Sequence, residues 1–211
     1  MKSGYNELVI EYFRNPKNVG RIEDADGKAT EGSPACGDMV SVYIKVDKES
    51  NVIEDIKFES YGCASNIATA SIVTELAKGK TIEEAKKISW KDASDALGGL
   101  PPIKVHCSVL AVEGLHAAIE DYEEKHGLIK EKVETTADIV KKKLRHIMNP
   151  SLGIDIISSD IVKEISVEKG KVEIVISIAD NHQFAKNIED EIKEKMNALW
   201  DIEKVSVKFV G

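Results

Sequence analysis

Cys36, Cys63 and Cys107 are the 3 cysteines of this 211-residue chain, and each stands among residues suited to metal chemistry. The local strings are Cys36-Gly37-Asp38, Gly62-Cys63-Ala64-Ser65 and Val105-His106-Cys107-Ser108. Thiols with a carboxylate, Asp38, and an imidazole, His106, beside them could fill a tetrahedral site. That is the geometry of zinc and of each iron in an iron–sulfur cluster. No pair is spaced as CxxC, so neither a zinc ribbon nor a thioredoxin-type motif is present. Packing is the competing reading for any one free cysteine, since such thiols are among the most buried side chains. His116, His126, His146 and His182 lack comparable neighbours and read as surface or core histidines.

The patterning around the cysteines predicts the elements that must carry them. Leu8, Val9, Tyr12 and Phe13 recur at helical spacing before Asn15-Pro16 ends the helix, and residues 16–34, rich in Gly, Asp and Pro, read as a loop. Val40, Val42, Ile44 and Val46 alternate as a strand with one buried face. Residues 51–60 supply its partner, with Lys48 to Asn51 as the turn. At Tyr61-Gly62 the period switches to 3.6, and Ala64 to Leu76 form an Ala-rich helix stopped by Gly79. Thr81 caps a short helix, Gly98 to Pro102 is an extended break, and a long helix runs from Val105 to near Gly127. Cys36 then lies in a loop, Cys63 where a strand becomes a helix, and Cys107 in the first turns of a helix. These are places where ligands project, and a helix amino terminus favours a thiolate. Adjacent helical residues point about 100° apart, which disfavours a direct His106–Cys107 pair.

Composition narrows the partners. The net charge is −8, and lysine supplies all the basic residues except Arg14, Arg21 and Arg145, so bidentate readout of nucleic acid has little material. No apolar run approaches the roughly 20 residues of a membrane span, and the first residues lack the apolar stretch of a signal peptide. A cytoplasmic location is expected, where thiols stay reduced and an odd cysteine count excludes a closed disulfide set. The length suits one domain of about 130 residues and a smaller one. The boundaries read as 1–127, a charged linker at 128–135, and 136–211.

Longer strings carry more than spacing does. Tyr12-Phe13-Arg14-Asn15-Pro16-Lys17-Asn18-Val19-Gly20, Pro34-Ala35-Cys36-Gly37-Asp38, Tyr61-Gly62-Cys63-Ala64-Ser65 and Leu100-Pro101-Pro102-Ile103-Lys104-Val105-His106-Cys107-Ser108 occur in this order. Over residues 5–126 the chain thereby resembles the NifU/IscU-like, U-type iron–sulfur cluster assembly scaffolds. The resemblance implies an α+β fold, an antiparallel sheet packed by helices. It also implies a non-enzymatic scaffold on which a [2Fe–2S] cluster is built from iron and sulfur and then passed to apo iron–sulfur proteins. Cys36, Cys63 and Cys107 match the ligand cysteines, Asp38 the conserved aspartate, and His106 the histidine beside the third cysteine. Asp38 and His106 compete for the fourth, exchangeable position, and the same residues can hold zinc when no cluster is present. A cysteine desulfurase is the implied sulfur donor, with Cys107 as the usual acceptor. Leu100-Pro101-Pro102-Ile103-Lys104 is similar to the segment that a dedicated chaperone grips, with Ile103 where Val is usual. Lys104 would place a cation near an anionic cluster.

Beyond residue 136 the order of elements reads as αββαβ: a helix over 138–148, strands at 161–167 and 172–178 around Lys169-Gly170, a helix over 184–199, and a closing strand at 204–210. Met148-Asn149-Pro150-Ser151-Leu152-Gly153-Ile154-Asp155 makes this region similar to the SufT/PaaD-like domains of iron–sulfur protein maturation. Where that family carries Cys-Pro, this chain has Asn181-His182-Gln183-Phe184, so the region lacks the thiol. Asp155 reads as a turn or cap residue. The region either binds a client or the desulfurase, or helps form a homodimer. Two other classes stand beside the scaffold: a structural zinc-binding interaction protein, and a cysteine-dependent enzyme with Cys107 as nucleophile.

Overall fold

The computed structural model describes residues 5–32, 37–128 and 133–211. Two compact units are formed, Met1–Glu131 and Lys132–Gly211. Cys36 lies outside the described residues.

The first unit is built on an antiparallel sheet ordered β1 (Gly27–Gly32), β2 (Met39–Asp47), β3 (Val52–Tyr61). The expected alternation is present: Val40, Val42, Ile44 and Val46 are buried, and Ile56 and Phe58 face the same core. Val42 pairs with Phe58 and Ile44 with Ile56, which fixes the face that each side chain takes. Strand β1 corrects the expectation of a continuous loop over 16–34. Its sequence, Gly-Lys-Ala-Thr-Glu-Gly, has no apolar alternation because it is an edge strand, and Gly27 lies under a helix. A Cβ there would sit 2.2 Å from the Ala118 carbonyl oxygen, so glycine is what permits the approach.

Helices α1 (Glu7–Arg14), α2 (Ala64–Ala77) and α5 (Val105–Lys125) pack around the sheet, with short helices α3 (Ile82–Ala85) and α4 (Trp90–Ala96) between the last two. Thr81 caps α3 in a reciprocal capping box with Glu84, as its spacing predicts. Helix α4, not anticipated, starts with the same device from Ser89 and Asp92. Along α5, Cys107, Ala111, Gly114 and Ala118 share one face at helical spacing and are all buried. At Gly114 an added Cβ would meet Val42 and Val40 side chains at 3.0 and 3.2 Å. This small-residue face lets α5 lie close to the sheet, and Cys107 is carried on it.

Two polar motifs set the ends of these elements. Asn6 accepts from the Val9 amide at 2.9 Å, capping α1, while its Nδ2 donates to the carbonyls of Leu97 (2.7 Å) and Gly99 (2.9 Å). That ties α1 to the Gly98-Gly99 break, where both glycines have positive φ, and so sets the lead-in to α5. The Asn15–Gly20 string runs beside β3: Gly20 donates to the Phe58 carbonyl (2.8 Å), the Phe58 amide donates to Asn18 (3.0 Å), and Lys17 donates to Ser71 of α2 (2.8 Å).

The second unit comprises α6 (Ala137–Leu144), β4 (Met148–Asn149), β5 (Ile154–Asp155), β6 (Val162–Glu168), β7 (Lys171–Ile176), α7 (Ala185–Asn197) and β8 (Lys204–Phe209). β6 and β7 are antiparallel around Lys169-Gly170, both at positive φ, and β8 joins β7 in parallel after α7. Val140, Leu144, Ile174, Ile176, Ile188, Ile192 and Met196 close its core. α6 stops at Leu144, short of the expected Met148, because Met148–Asn149 pairs with Ile154–Asp155 in a two-stranded ladder that the αββαβ reading omitted. Asp155 Oδ1 accepts from the amides of Ile157 (3.0 Å) and Ser158 (2.8 Å), the expected turn role.

Candidate functional site

Three element ends meet at one point of the first unit. Asp38 immediately precedes β2 and is 6% exposed; Cys63 is the N-cap residue of α2; His106 and Cys107 open α5 after a single 3-10 turn, Pro102–Lys104. Cys63 Sγ lies 3.4 Å from Asp38 Oδ2 and 3.8 Å from Cys107 Sγ. Cys107 Sγ lies 3.9 Å from the same carboxylate oxygen and 3.5 Å from His106 Nε2. Donor atoms of Asp38, His106 and Cys107 all fall within 4.8 Å of one another. Of the five residues singled out from the sequence, four are therefore brought together, and Cys36 lies outside the described residues.

Two expectations change. Helical periodicity argued against a direct His106–Cys107 contact, yet their reactive atoms touch, because the imidazole is long enough to curl around the free first turn of α5. Projection at an element end also does not mean exposure, since Cys107 is 0% exposed. Cys63, half-buried, is the more accessible of the two described thiols.

The electrostatics suit metal ligation. The Cys107 thiol bonded to Cys63 holds the Cys63 pKa down at about 5; burial and the Asp38 charge oppose this, while the Asn66 amide and the Lys104 ammonium assist it. Cys63 is thus a thiolate at neutral pH. Burial, and then the Lys104 charge, push His106 below the usual imidazole range, against the pull of Asp38 and Cys63. A neutral imidazole has a free lone pair for a metal. Burial works against the charge of Lys104, but Cys63, Tyr5 and Cys107 together outweigh it and keep the pKa raised; its Nζ stands 3.7 Å from Cys63 Sγ. A thiolate crowded against a carboxylate at 3.4 Å repels it, and a cation bound among these donors would remove that cost.

Neighbouring residues that the sequence did not single out hold these groups in place. A Cβ at Gly62 would lie 2.8 Å from Asp38 Cγ and Oδ1 and 2.6 Å from Asn66 Nδ2, so only glycine leaves the carboxylate where it is. Asn66, fully buried, donates to the Met39 carbonyl (3.2 Å) and Ser60 Oγ (2.9 Å), clamping the ends of β2 and β3 beside Asp38. Thr69 Oγ1 stands 3.1 Å from the Cys107 carbonyl and joins α2 to α5 at the level of the thiols. Buried Asn and Thr in an otherwise small, apolar helix were the available signal.

An α+β unit with thiols, a carboxylate and an imidazole gathered at its element ends has the donor chemistry of a site for a thiophilic metal. Residues 4–128 match the model of the NifU-like N terminal domain, and residues 137–209 match that of an iron-sulfur cluster assembly protein domain. The chain belongs to the NifU-like N terminal domain family. Among its relatives is iron-sulfur cluster assembly scaffold protein IscU 1 of Archaeoglobus fulgidus, 57% identical over 125 residues, or 59% of this chain and 80% of that protein. The IscU scaffold of Aquifex aeolicus is 50% identical over 131 residues, covering 62% of this chain and 83% of its own. That of Escherichia coli K12 is 47% identical over 124 residues, covering 57% and 95%. Among solved structures, a SUF-system scaffold from Fervidobacterium islandicum AW-1 aligns at TM-score 0.47 with 29% identity, over 55% of this chain and 96% of that one.

Proposed function

We propose that this chain is a scaffold on which an iron–sulfur cluster is assembled and from which it is passed on, a carrier and not a catalyst. The observation that carries the reading is the convergence of Asp38, Cys63, His106 and Cys107 within the region matched by the NifU-like model. Relatives at 46–57% identity are named as iron–sulfur cluster assembly scaffolds, and none of those names describes a catalyst. The cluster is cargo. Cys63 and Cys107, with Cys36, supply thiolates that hold a [2Fe–2S] unit, and Asp38 supplies the weaker oxygen ligand that lets it leave, with His106 as the neighbouring alternative. Lys104 partly offsets the added negative charge.

The finer parts of the reading are these. Sulfur comes from a cysteine desulfurase and the cluster goes to apo iron–sulfur proteins in the cytoplasm. Among the described residues no helix is long and apolar enough to cross a membrane. The Asp38–His106–Cys107 trio is also compact enough to hold a single zinc ion before a cluster forms. Ile103 is 60% exposed, which leaves Leu100–Lys104 open to a chaperone. The second unit, joined within residues 128–135, is a SufT/PaaD-like module that binds a client or desulfurase and raises its local concentration, or pairs two copies.

Anaerobic reconstitution of the reduced chain with ferrous iron and sulfide tests this. Visible charge-transfer bands and cluster transfer to an apo-ferredoxin are expected, and Cys63→Ser or Cys107→Ser should abolish both. A chain that binds zinc but never develops a chromophore would overturn the scaffold reading.

A further inference from the structure

We infer that the second unit makes this chain a homodimer by pairing the open edge of β8 with β8 of a second copy, antiparallel and centred on Val207, which joins two three-stranded sheets into one. The inference rests on the pairing role proposed above for that unit. It uses no residue of the metal site, so the two stand or fall separately.

The sheet order β6-β7-β8 leaves β6 and β8 as edges, and the two are built differently. β6 carries a register shift between Val162 and Glu164 and exposes Lys163, Glu164 and Glu168, the irregularity and charge that keep an edge from pairing. β8 runs in unbroken register with β7, contains no proline, and exposes only Lys204 and Lys208 along its length. Two bonds near its ends set its backbone: the Lys204 amide donates to the Gly170 carbonyl (3.1 Å) and the Val210 amide to that of Ile176 (2.9 Å). Backbone direction alternates along a strand, so the even-numbered residues address β7, and Val205, Val207 and Phe209 turn their N–H and C=O groups outward. Among the described residues no strand or loop pairs with those groups. The side chains of the same three residues lean on the hydrophobic core yet stay only partly buried, whereas Val172, Ile174 and Ile176 beside them on β7 are at most 1% exposed.

Register selects the occupant. In an antiparallel pair, outward-facing residues of one strand stand opposite outward-facing residues of the other, and each couple exchanges both backbone bonds. Centring on Val207 sets Val205 against Phe209 of the second copy, Val207 against Val207 and Phe209 against Val205, which uses all three and continues the apolar row across the joint. On the other face Ser206 lies opposite Lys208 of the second copy, and the charge of Lys208 is countered within its own chain by Glu173 at 2.7 Å. Moving the centre to Ser206 puts Lys204 opposite Lys208, and moving it to Lys208 puts that lysine opposite its own copy; like charges so placed are destabilising. Moving it to Val205 leaves Phe209 beyond the end of the strand it faces. The edge therefore complements its own copy in one register, as a two-fold interface requires.

The test is sedimentation velocity of the full, reduced chain over a concentration series reaching the millimolar range, with chelator present so that no bridging metal contributes. The wild type is expected to approach twice its 23.2 kDa mass as concentration rises. Val207→Pro removes an outward N–H that serves no bond to β7, a change an edge strand accommodates, and is expected to be monomeric; circular dichroism shows whether it is folded. Ser206→Lys and Ser206→Glu alter only the solvent face. The register predicts that the lysine weakens dimerisation about 2–30-fold and the glutamate strengthens it by a similar factor, since each acts at two symmetric couples with Lys208. A wild type of single-chain mass at every concentration would overturn the inference and leave the edge to a segment of another protein. A dimer unmoved by Val207→Pro would overturn the edge, and one weakened equally by both Ser206 variants would overturn the register. Every one of these results is read without iron, so the scaffold reading is untouched by either outcome.

Discussion

Both units place helices against a three-stranded sheet and bury an aliphatic core, yet they treat their buried polar groups differently. In the second unit Asn149 and Asp155 are satisfied by amides two or three residues ahead, which makes turns, and Thr135 reaches Asp201 across 66 positions as a tie between chain segments with no cysteine beside it. In the first unit Asp38 reaches Cys63 across 25 positions and Cys107 across 69, and Thr69 reaches Cys107 across 38. Polar groups that close local turns serve the fold. Those that bring distant element ends together, with sulfur among them, make a site whose unmet coordination is its function.

Gly62→Ala should sharpen this contrast most. The new Cβ adopts an ordinary backbone conformation, so the Asp38 and Asn66 side chains must move and the fold need not. Metal affinity, read by competition with a chromogenic chelator, should fall about 10–100-fold, the usual cost of disturbing the groups that orient ligands. A smaller drop in stability, about 1 kcal/mol, should accompany it, because Asn66 Nδ2 must loosen its bonds to Met39 and Ser60. A variant that binds metal like the wild type would break the claim that Gly62 is there for the carboxylate.

Gly27→Ala should do the opposite. Its Cβ would press on the Ala118 backbone oxygen at 2.2 Å, which a side-chain rotation cannot relieve. A loss of about 1–3 kcal/mol is expected for the first unit, seen by calorimetry or chemical denaturation. A second transition belonging to residues 133–211 should not shift. Equal destabilisation of both transitions would show that the units do not fold separately.

A smaller effect is expected from Asp201→Ala. Burial pushes the Asp201 carboxyl up, but the Thr135 hydroxyl and amide together hold it below the usual carboxylate range. A depressed folded-state pKa stabilises above the unfolded value and is lost as pH falls through the folded one. The wild type should therefore lose this increment under acid, while the variant, about 1 kcal/mol weaker near neutrality, should show a flatter acid limb. Metal affinity should be unchanged.

Much of this organisation was legible from the chain because it is local. The β2–β3 alternation, the switch to helical period after Gly62 and the Thr81 cap each depend on neighbours within a few residues. Strand β1 was not legible, since an edge strand of glycine and charged residues has no apolar period, and its pairing is determined by β2 and by the helix above Gly27. The β4–β5 ladder was hidden in the same way behind a helical pattern that ends early. For the site, residue types and flanking strings pointed to Asp38, Cys63, His106 and Cys107, but the 3.8 Å thiol contact is a product of helix packing that no spacing encodes. The His106–Cys107 contact shows the converse, because ideal helical directions fail at a first turn where a long side chain is free to bend back.

The central claim is that Asp38 is the replaceable ligand of a transferable cluster. It is tested most directly by the rate at which reconstituted wild type and Asp38→Ala pass their cluster to an apo-ferredoxin under anaerobic conditions. Slower release from the variant is the expected result; equal rates would contradict it.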